Sequence, residues 1–222
     1  MAADGPTEGL VAYWAFDETG GTEVKDSSGH HNGGRLLSAE RVPGRKGRAI
    51  ACQQDALVEV PHTPTLDEFE AGFTVSAWVK RDADATWNMI LSREVKNGPS
   101  EYFGVAVVNN KALFSIDPDG AHYQNIKGSE DLPAGEWIHL AGTYDHKEFR
   151  LYVNGALVKS APCSVPFHFA DKNPTIIGGN TNSQGNKWVD CFHGLIDEVR
   201  LYNRALSEDE ISKLNTAGGT TK

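Results

Sequence analysis

Short runs of β-branched and aromatic residues recur along the chain, separated by turn-forming Gly, Asn, Asp and Pro. Such runs predict β-strands, in which successive side chains point to opposite faces. The predicted strands cover residues 10–16, 56–60, 73–81, 88–93, 102–108, 112–116, 137–145, 149–153, 156–161, 174–179 and 194–203. Asn154-Gly155 lies between two of these runs and predicts a tight hairpin, because a type I′ turn needs positive φ at both central residues.

One segment carries a clear helix signal. In LSEDEISKL, Ser207 and Glu210 have the spacing of a capping box, and acidic residues fill the first turn. The chain shows no repeat of 20–50 residues and no Pro/Ser-rich linker. Many short strands with one short C-terminal helix predict an all-β fold, a two-sheet antiparallel β-sandwich. We expect a single domain over residues 9–216, with flexible termini at 1–8 and 217–222.

The segment GLIDEVRLYN (194–203) carries two adjacent acids in the middle of a predicted strand. Strict alternation places Asp197 on the same face as Leu195, Val199 and Leu201. Glu198 lies on the other face, beside Arg200, and is expected to reach solvent. An uncompensated carboxylate on a core face costs several kcal/mol or takes up a proton. The position of Asp197 therefore predicts that a hydrogen-bond network, an arginine or a metal ion compensates its buried carboxylate.

The composition and net charge limit the kinds of binding partner that we expect. The 222 residues are 39% hydrophobic, which argues against disorder, and the net charge of −9 disfavours nucleic acid or an anionic membrane as the main partner. No apolar run approaches the roughly 18 residues of a spanning helix, so we expect no membrane insertion. The cysteines form no CxxC pair, which disfavours a thiolate zinc site. Cys163 and Cys191 form a disulfide, or all three thiols, with Cys52, are buried; the spacing leaves both open.

Four motifs follow one another along the chain: GLVAYWAFDETGGTEVKDSSGHHNGG, FTVSAWVK, GEWIHLAGTYD with FRLYVNGALV, and FHGLIDEVRLYNRALSEDEI. In this order they resemble the LamG-like jelly-roll domains of the concanavalin A-like lectin/glucanase superfamily. The resemblance extends over residues 9–214. It implies two curved antiparallel sheets, often a calcium ion, and a non-catalytic binding role in secreted or cell-surface proteins. The N-terminal residues as written do not have the pattern of a signal peptide.

The resemblance also implies a calcium site that joins the N-terminal segment to the 194–203 strand. The candidate ligands are Asp17, Asp26, Asn32 and Asp197. Calcium takes six to eight oxygens from carboxylates, amides, carbonyls and water, and the glycine-rich loop 26–34 can turn carbonyls inward. The alternative is that Asp17 and Asp197 accept hydrogen bonds from loop amides, or that Asp197 pairs with Arg204.

Three polar segments have a composition suited to sugars: DADATWNM, DPDGAHYQN and GGNTNSQGNKW. Aromatic rings offer apolar area with a polar edge, and a few convergent polar groups fix a ligand's orientation. The candidate ligand-binding residues are Trp87, His122, Tyr123, Asn182 and Trp188. Ordinary surface loops share this composition, which is the alternative. We expect Trp14, Trp78 and Trp137 to be core residues.

Three functions compete: a carbohydrate-binding module with a structural calcium ion, a protein-interaction or adhesion domain, and a polysaccharide hydrolase or lyase. A glycosidase needs two carboxylates at a defined separation. The β-sandwich glucanases carry them on an E-x-D-x-x-E strand, a pattern that no glutamate of this chain begins. The neighbours Asp197 and Glu198 cannot substitute, because they are predicted to face opposite ways. We therefore expect no catalysis, and as partner a poly- or oligosaccharide or an extracellular or cell-surface protein.

Overall fold

Two antiparallel sheets dominate the computed structural model, which describes residues 4–82, 86–95, 101–169, 171–182 and 185–217. Sheet A contains β1 (Leu10–Trp14), β4 (Glu40–Pro43), β5 (Arg48–Cys52), β7 (Phe73–Arg81), β12 (Ile138–Tyr144), β13 (Glu148–Val153), β14 (Ala156–Pro162) and β18 (Gly194–Tyr202). Sheet B contains β2 (Glu23–Val24), β3 (Gly34–Leu37), β6 (Leu57–Val60), β8 (Trp87–Glu94), β9 (Glu101–Val108), β10 (Lys111–Ile116), β11 (Gln124–Lys127) and β15 (Thr175–Ile177).

Three smaller elements complete the fold. They are a two-stranded ribbon of β16 (Asn180–Thr181) and β17 (Trp188–Val189), a 3₁₀ turn at Pro64–Asp67 and the helix α1 (Glu208–Thr216). The strand order is β14-β13-β12-β7-β18-β5-β4 in sheet A and β11-β10-β9-β8-β15-β6-β3-β2 in sheet B. The remaining strand, β1, pairs with the C-terminal half of β18, whereas β5 pairs with its N-terminal half. The predicted all-β sandwich with one C-terminal helix is confirmed.

The main core lies between the sheets and is rich in phenylalanine. Phe73 stacks on Phe69 with ring centroids 5.2 Å apart and meets Phe167 edge-on at 4.9 Å. Trp14 is fully buried, and its indole donates a 2.8 Å hydrogen bond to the Asn32 carbonyl. Large rings of this kind bury 150–250 Å² each, so this cluster supplies much of the apolar burial that holds the sheets together.

A second apolar cluster covers the outer face of sheet A. Ile211 and Leu214 of α1 pack there with Tyr202 of β18. Ser207 caps α1 in the predicted capping box, which is confirmed. Residues 4–8 also contact this region, since the Pro6 carbonyl accepts a 3.0 Å hydrogen bond from the Tyr202 hydroxyl. Residues 1–3 and 218–222 lie outside the described residues, and the expected flexibility of the termini stays a prediction.

The hairpin at Asn154-Gly155 is also confirmed, with φ of 50° and 80° at the two residues. Trp78 is buried as expected, but Trp137 is only half-buried, because it lies just before β12 rather than within it. The three cysteines are buried free thiols, so the Cys163–Cys191 disulfide is not formed. Within the part of the chain that the structure describes, no helix is long and apolar enough to cross a membrane.

The sequence prediction that Asp197 faces the core is wrong, because β18 contains a β-bulge. Glu198 has φ of 52°, and the pairing of β18 with β7 shifts between Asp197 and Arg200. Ile196, before the bulge, and Val199, after it, therefore both face the core. Asp197 pairs with Trp78 and lies on the outer face of sheet A, not on the core face. The extra residue of a bulge reverses the alternation on one side of it.

Candidate functional site

A cleft of about 420 Å³ opens beside the central strands of sheet B, between β8, the start of β9 and the β16–β17 ribbon. Its lining includes three of the five candidate ligand residues, Trp87, Tyr123 and Asn182. These residues come from three segments that are far apart in the sequence. The other lining residues are Met89, Glu94, Glu101, Asn180, Thr181, Val189 and Asp190. The volume is within the range of small-ligand sites.

Two aromatic side chains are exposed at this cleft. Trp87, the first residue of β8, is 40% exposed, and Tyr123, just before β11, is 39% exposed. By contrast, Trp14 is fully buried and Trp78 only 6% exposed. Trp87 and Tyr123 are therefore the rings that can meet a ligand without any change in the core.

Two buried glutamates face each other in the cleft wall. Glu94 ends β8 and pairs directly with Glu101, which begins β9. Glu101 accepts hydrogen bonds from the Ser115 hydroxyl and, at 3.5 Å, from the Tyr123 hydroxyl. Glu94 is 9% exposed, and its Oε2 atom accepts no hydrogen bond. Like charges directly opposite each other on a sheet are destabilising, so the pair is not explained by folding alone.

The electrostatics of the pair follow from its burial. Burial and, to a smaller extent, the charge of Glu101 together raise the pKa of Glu94 to about 8, against the lowering effect of a hydrogen bond from the Asn180 amide. Burial also raises the pKa of Glu101, against the lowering effect of the Ser115 hydroxyl. Asp190, on the loop after β17, adds a third carboxylate to the lining. The cleft is therefore acidic and poorly solvated at its base.

Amide side chains hold the ribbon beside the cleft. Asn180 is 5% exposed, and its Oδ1 accepts 3.0 Å hydrogen bonds from the Ser92 hydroxyl and the Thr181 amide. The Asn182 side chain closes the loop before β17, because its Oδ1 accepts hydrogen bonds from the backbone of Asn186 and Lys187. Gln184, which belongs to the same predicted segment, lies outside the described residues. These hydrogen bonds fix the position of the ribbon beside the two glutamates.

Two candidate ligand residues do not line the cleft. Trp188 belongs to the two-residue strand β17, where it pairs with Thr181, but it is not among the residues that line the cleft. His122 is exposed, and its Nδ1 lies 2.8 Å from Asp119 Oδ2. Their role in ligand binding stays a prediction that the position of this cleft does not support.

The calcium candidates Asp17 and Asp197 both accept hydrogen bonds from the turn between β4 and β5. Asp197 is fully buried, and its Oδ2 accepts a 3.0 Å hydrogen bond from the Lys46 amide. Asp17 Oδ1 accepts one of 2.8 Å from the Arg48 amide. Turn amides thus bind both carboxylates, as the alternative interpretation states, whereas Arg204 pairs with Glu210 instead.

Asp26 and Asn32 are used differently. Asp26 accepts hydrogen bonds from the amides of Tyr13, Ser28 and Asn32, which shapes the 26–34 loop. The fully buried Asn32 amide donates to the Val11 carbonyl at 2.7 Å and accepts from two threonine hydroxyls. Both side chains are occupied in joining loop to strand.

The fit of a cation is therefore best at Asp197. Burial raises the pKa of Asp197 to about 7, although the turn amides lower it, so the carboxylate is incompletely compensated. Asp17 supplies a second carboxylate at the same turn. In the described ranges, no group of three or more His, Cys, Asp or Glu side chains is arranged to hold a metal. Calcium here would thus need backbone carbonyls and water as further ligands.

Comparison with known families agrees with the architecture. The Laminin_G_3 family, described as concanavalin A-like lectin/glucanases superfamily, matches residues 53–212. The chain belongs to this family. The resemblance that the sequence motifs indicated is thereby confirmed, and with it the lectin-like class of fold.

The sequence is also similar to segments of two adhesion receptors. The chain is 24% identical over 227 residues to adhesion G-protein coupled receptor V1 of Danio rerio, which covers 97% of this chain and 3% of the receptor. It is 29% identical over 129 residues to human adhesion G-protein coupled receptor D1, covering 54% of this chain and 14% of the receptor. The chain thus spans a small part of the curated relatives that it matches.

Two solved structures show the same fold. The binding domain of Paraclostridial Mosquitocidal Protein 1 superposes with a TM-score of 0.74 at 19% identity, over 95% of this chain and 52% of that chain. Domain 4 of AbnA, an extracellular arabinanase from Geobacillus stearothermophilus solved with arabinotriose, gives 0.72 at 21% identity, over 93% and 98%. At these identities the likeness shows the fold.

Sequence reasoning missed the two glutamates. The predicted strands end at residue 93 and begin again at 102, so they exclude Glu94 and Glu101 by one position each. A hairpin brings the residues that flank its loop face to face. Acids at both ends of the 95–100 connection were therefore the signal that could have revealed the pair.

Proposed function

We propose that this domain is a non-catalytic oligosaccharide-binding module of a secreted or cell-surface protein, and that its ligand lies in the cleft beside Trp87 and Tyr123. The observation that carries the proposal is the presence of two exposed rings at one cleft that also holds amide and carboxylate groups. Rings pack against the apolar faces of sugars, and polar groups fix the hydroxyls. The arabinotriose complex of the AbnA domain supports a sugar as ligand for this fold.

The test is a set of three tryptophan and tyrosine variants on a glycan array. Trp87→Ala and Tyr123→Ala should lose about tenfold or more in affinity for a retained glycan, as for truncated contact residues in general. Both should melt close to the parent, because the rings are largely outside the core. Trp188→Ala is the matched control and should bind normally. If Trp87→Ala and Tyr123→Ala bind as the parent does, the cleft is not the site.

Hydrolysis is a second candidate, and the glutamate pair favours it. A glycosidase needs one protonated and one ionised carboxyl at the scissile bond. The raised pKa of Glu94 suits an acid, but burial raises the pKa of Glu101 as well, so the pair does not provide an ionised partner. Binding is therefore the better account. Release of reducing ends from a polysaccharide panel, abolished by Glu94→Gln, would overturn it.

We also propose that Asp17 and Asp197 bind a structural calcium ion at the turn between β4 and β5. The support is the buried and incompletely compensated Asp197 carboxylate. A bound divalent ion would offset this charge and would tie the N-terminal strand to β18. The proposal does not use Asp26 or the Asn32 amide, whose oxygens already join loop to strand. Its test is the melting experiment described in the Discussion.

A further inference from the structure

Three acids line the cleft wall. Glu94 and Glu101 are direct cross-strand partners, and Asp190 contributes a third carboxylate. The described lining residues include no lysine, arginine or histidine. Burial favours the protonated form of Glu94 and Glu101, and a neutral sugar could hydrogen-bond that form, whereas only a cation would favour the ionised form. The wall therefore favours a ligand that brings a positive charge.

Glu94 is the cleft acid that has a buried oxygen without a hydrogen-bond donor. Glu101 already accepts from Ser115 and Tyr123, whereas Glu94 Oε2 has no donor although nine-tenths of the residue is buried. A buried acceptor without a donor costs free energy comparable to a lost hydrogen bond, more when it is charged. An incoming N–H group at Glu94 would remove that cost. Such a bond to a charged group is about twice as strong as a neutral one.

Two kinds of cation can be compared. A divalent metal needs several converging oxygens, but the Ser115 and Tyr123 hydroxyls already engage Glu101, and Glu94 offers one buried oxygen without a donor. An ammonium group needs only one or two carboxylates and carries three donors. Trp87 and Tyr123 beside the acids supply the ring contacts expected for a sugar, and their faces also attract cations.

We infer that the cleft selects sugars with a free amino group, whose ammonium binds Glu94 and Glu101 while the ring packs on Trp87 or Tyr123. This inference rests on the proposed function, because it names the ligand class of the same cleft. It also predicts discrimination against uronic and sialic acids, whose carboxylates would meet like charge.

The test compares two ligands of one shape, a glucosamine tetramer and an N-acetylglucosamine tetramer, by titration calorimetry at pH 6. The parent should bind the amino form about tenfold more tightly or better, as expected for one charge-assisted hydrogen bond. Glu94→Gln and Glu101→Gln should reduce this preference to about threefold or less. Glu136→Gln, at an exposed acid elsewhere, should keep the preference and so controls for the net charge.

The outcomes separate the inference from the function. Equal or tighter binding of the acetylated tetramer, or of neutral oligosaccharides with loss in Trp87→Ala, overturns the amino-sugar inference and leaves the proposed function intact. Binding of neither tetramer, and of no neutral or acidic oligosaccharide, overturns both. Binding of an oligolysine peptide alone would assign the cleft to a protein partner. Melting curves of both glutamine variants identify any loss that is due to unfolding, and either folded variant is sufficient for the test.

Discussion

Replacing Asp197 by asparagine should change how the stability of the domain depends on pH. Asp197 is fully buried beneath the turn that carries Lys46, and burial raises its pKa from 3.8 to about 7. The folded state therefore holds a proton that the unfolded state releases at a lower pH. The stabilisation due to this proton is complete below pH 4 and disappears as the pH rises through about 7.

The size of the effect follows from the pKa difference. Each unit corresponds to about 1.36 kcal/mol, so the metal-free domain should lose about 4 kcal/mol at most between pH 4 and pH 8. For a chain of this length, that corresponds to a fall in Tm of about 8–16 °C. Asp197→Asn removes the titration. It also loses one amide hydrogen bond at the turn, which costs about 1 kcal/mol at every pH.

The assay is thermal melting from pH 4 to pH 8 in EDTA, and then at pH 8 with millimolar calcium. The parent should lose stability as the pH rises, and Asp197→Asn should show a flatter profile. Calcium should stabilise the parent by about 2.7 kcal/mol at a hundredfold excess over Kd, and the variant by much less. Glu136→Gln, at an exposed acid, should follow the parent.

Two results would refute the reasoning, and they refute different parts of it. Parallel pH profiles for the parent and Asp197→Asn would show that the buried carboxylate is already compensated by the turn amides. Identical melting of metal-free parent with and without calcium would rule out the metal proposal. The altered pH profile could still be correct in the second case, because it depends only on burial.

Three further changes test the packing and the cleft. Gly47→Ala should destabilise the domain by more than Gly21→Ala, because both glycines have positive φ but only at Gly47 would the new methyl collide with the Asp17 carboxylate; urea midpoints measure the difference, and equal losses would contradict the steric account. Ser207→Ala should cost about 1 kcal/mol of stability through loss of the α1 cap; an unchanged urea midpoint would contradict this. Glu94→Gln should be more stable than the parent at pH 9 but not at pH 5, because the raised pKa of Glu94 makes its ionisation unfavourable in the fold; a stability difference that is the same at both pH values would contradict it.

The strands that the sequence predicted are those with strong apolar character. The segment 73–81 was predicted with the bounds that β7 has, because alternating β-branched and aromatic residues leave little ambiguity. The short strands β2, β3, β4, β5 and β11 were missed, since their residues are mixed or polar and several lie toward the sheet edges. Tertiary pairing, rather than local preference, makes these segments extended.

The bulge at Glu198 shows a different limit. Sequence alternation assigns a face to each residue only if the strand is regular, and one extra residue reverses every assignment beyond it. Glu198 was expected to reach solvent, but it is 2% exposed and pairs with Arg200 at 2.7 Å. The partner was predicted correctly and the environment was not. Nothing in the local composition marks the position of the bulge, because positive φ here is held by contacts from distant segments.

The same reasoning explains why only some of the candidate ligand residues lie at the cleft. Composition identified Trp87, Tyr123 and Asn182, since rings and amides are what a sugar site needs. It could not exclude Trp188, because the facing of a two-residue strand depends on its pairing with β16. The calcium candidates are divided in the same way: Asp17 and Asp197 bind amides of one turn, whereas the Asn32 amide is committed to the core.

The contrast between buried carboxylates is the strongest argument for where function lies. Glu198 is nearly inaccessible, yet it has Arg200 on one oxygen and the Tyr13 hydroxyl on the other. Glu94 and Asp197 are buried without a cationic partner, and burial raises the pKa of each. A fold can satisfy its buried acids, as Glu198 demonstrates. The two acids without a cationic partner are therefore the observations on which the proposals of an ammonium ligand at the cleft and a calcium ion at the turn rest.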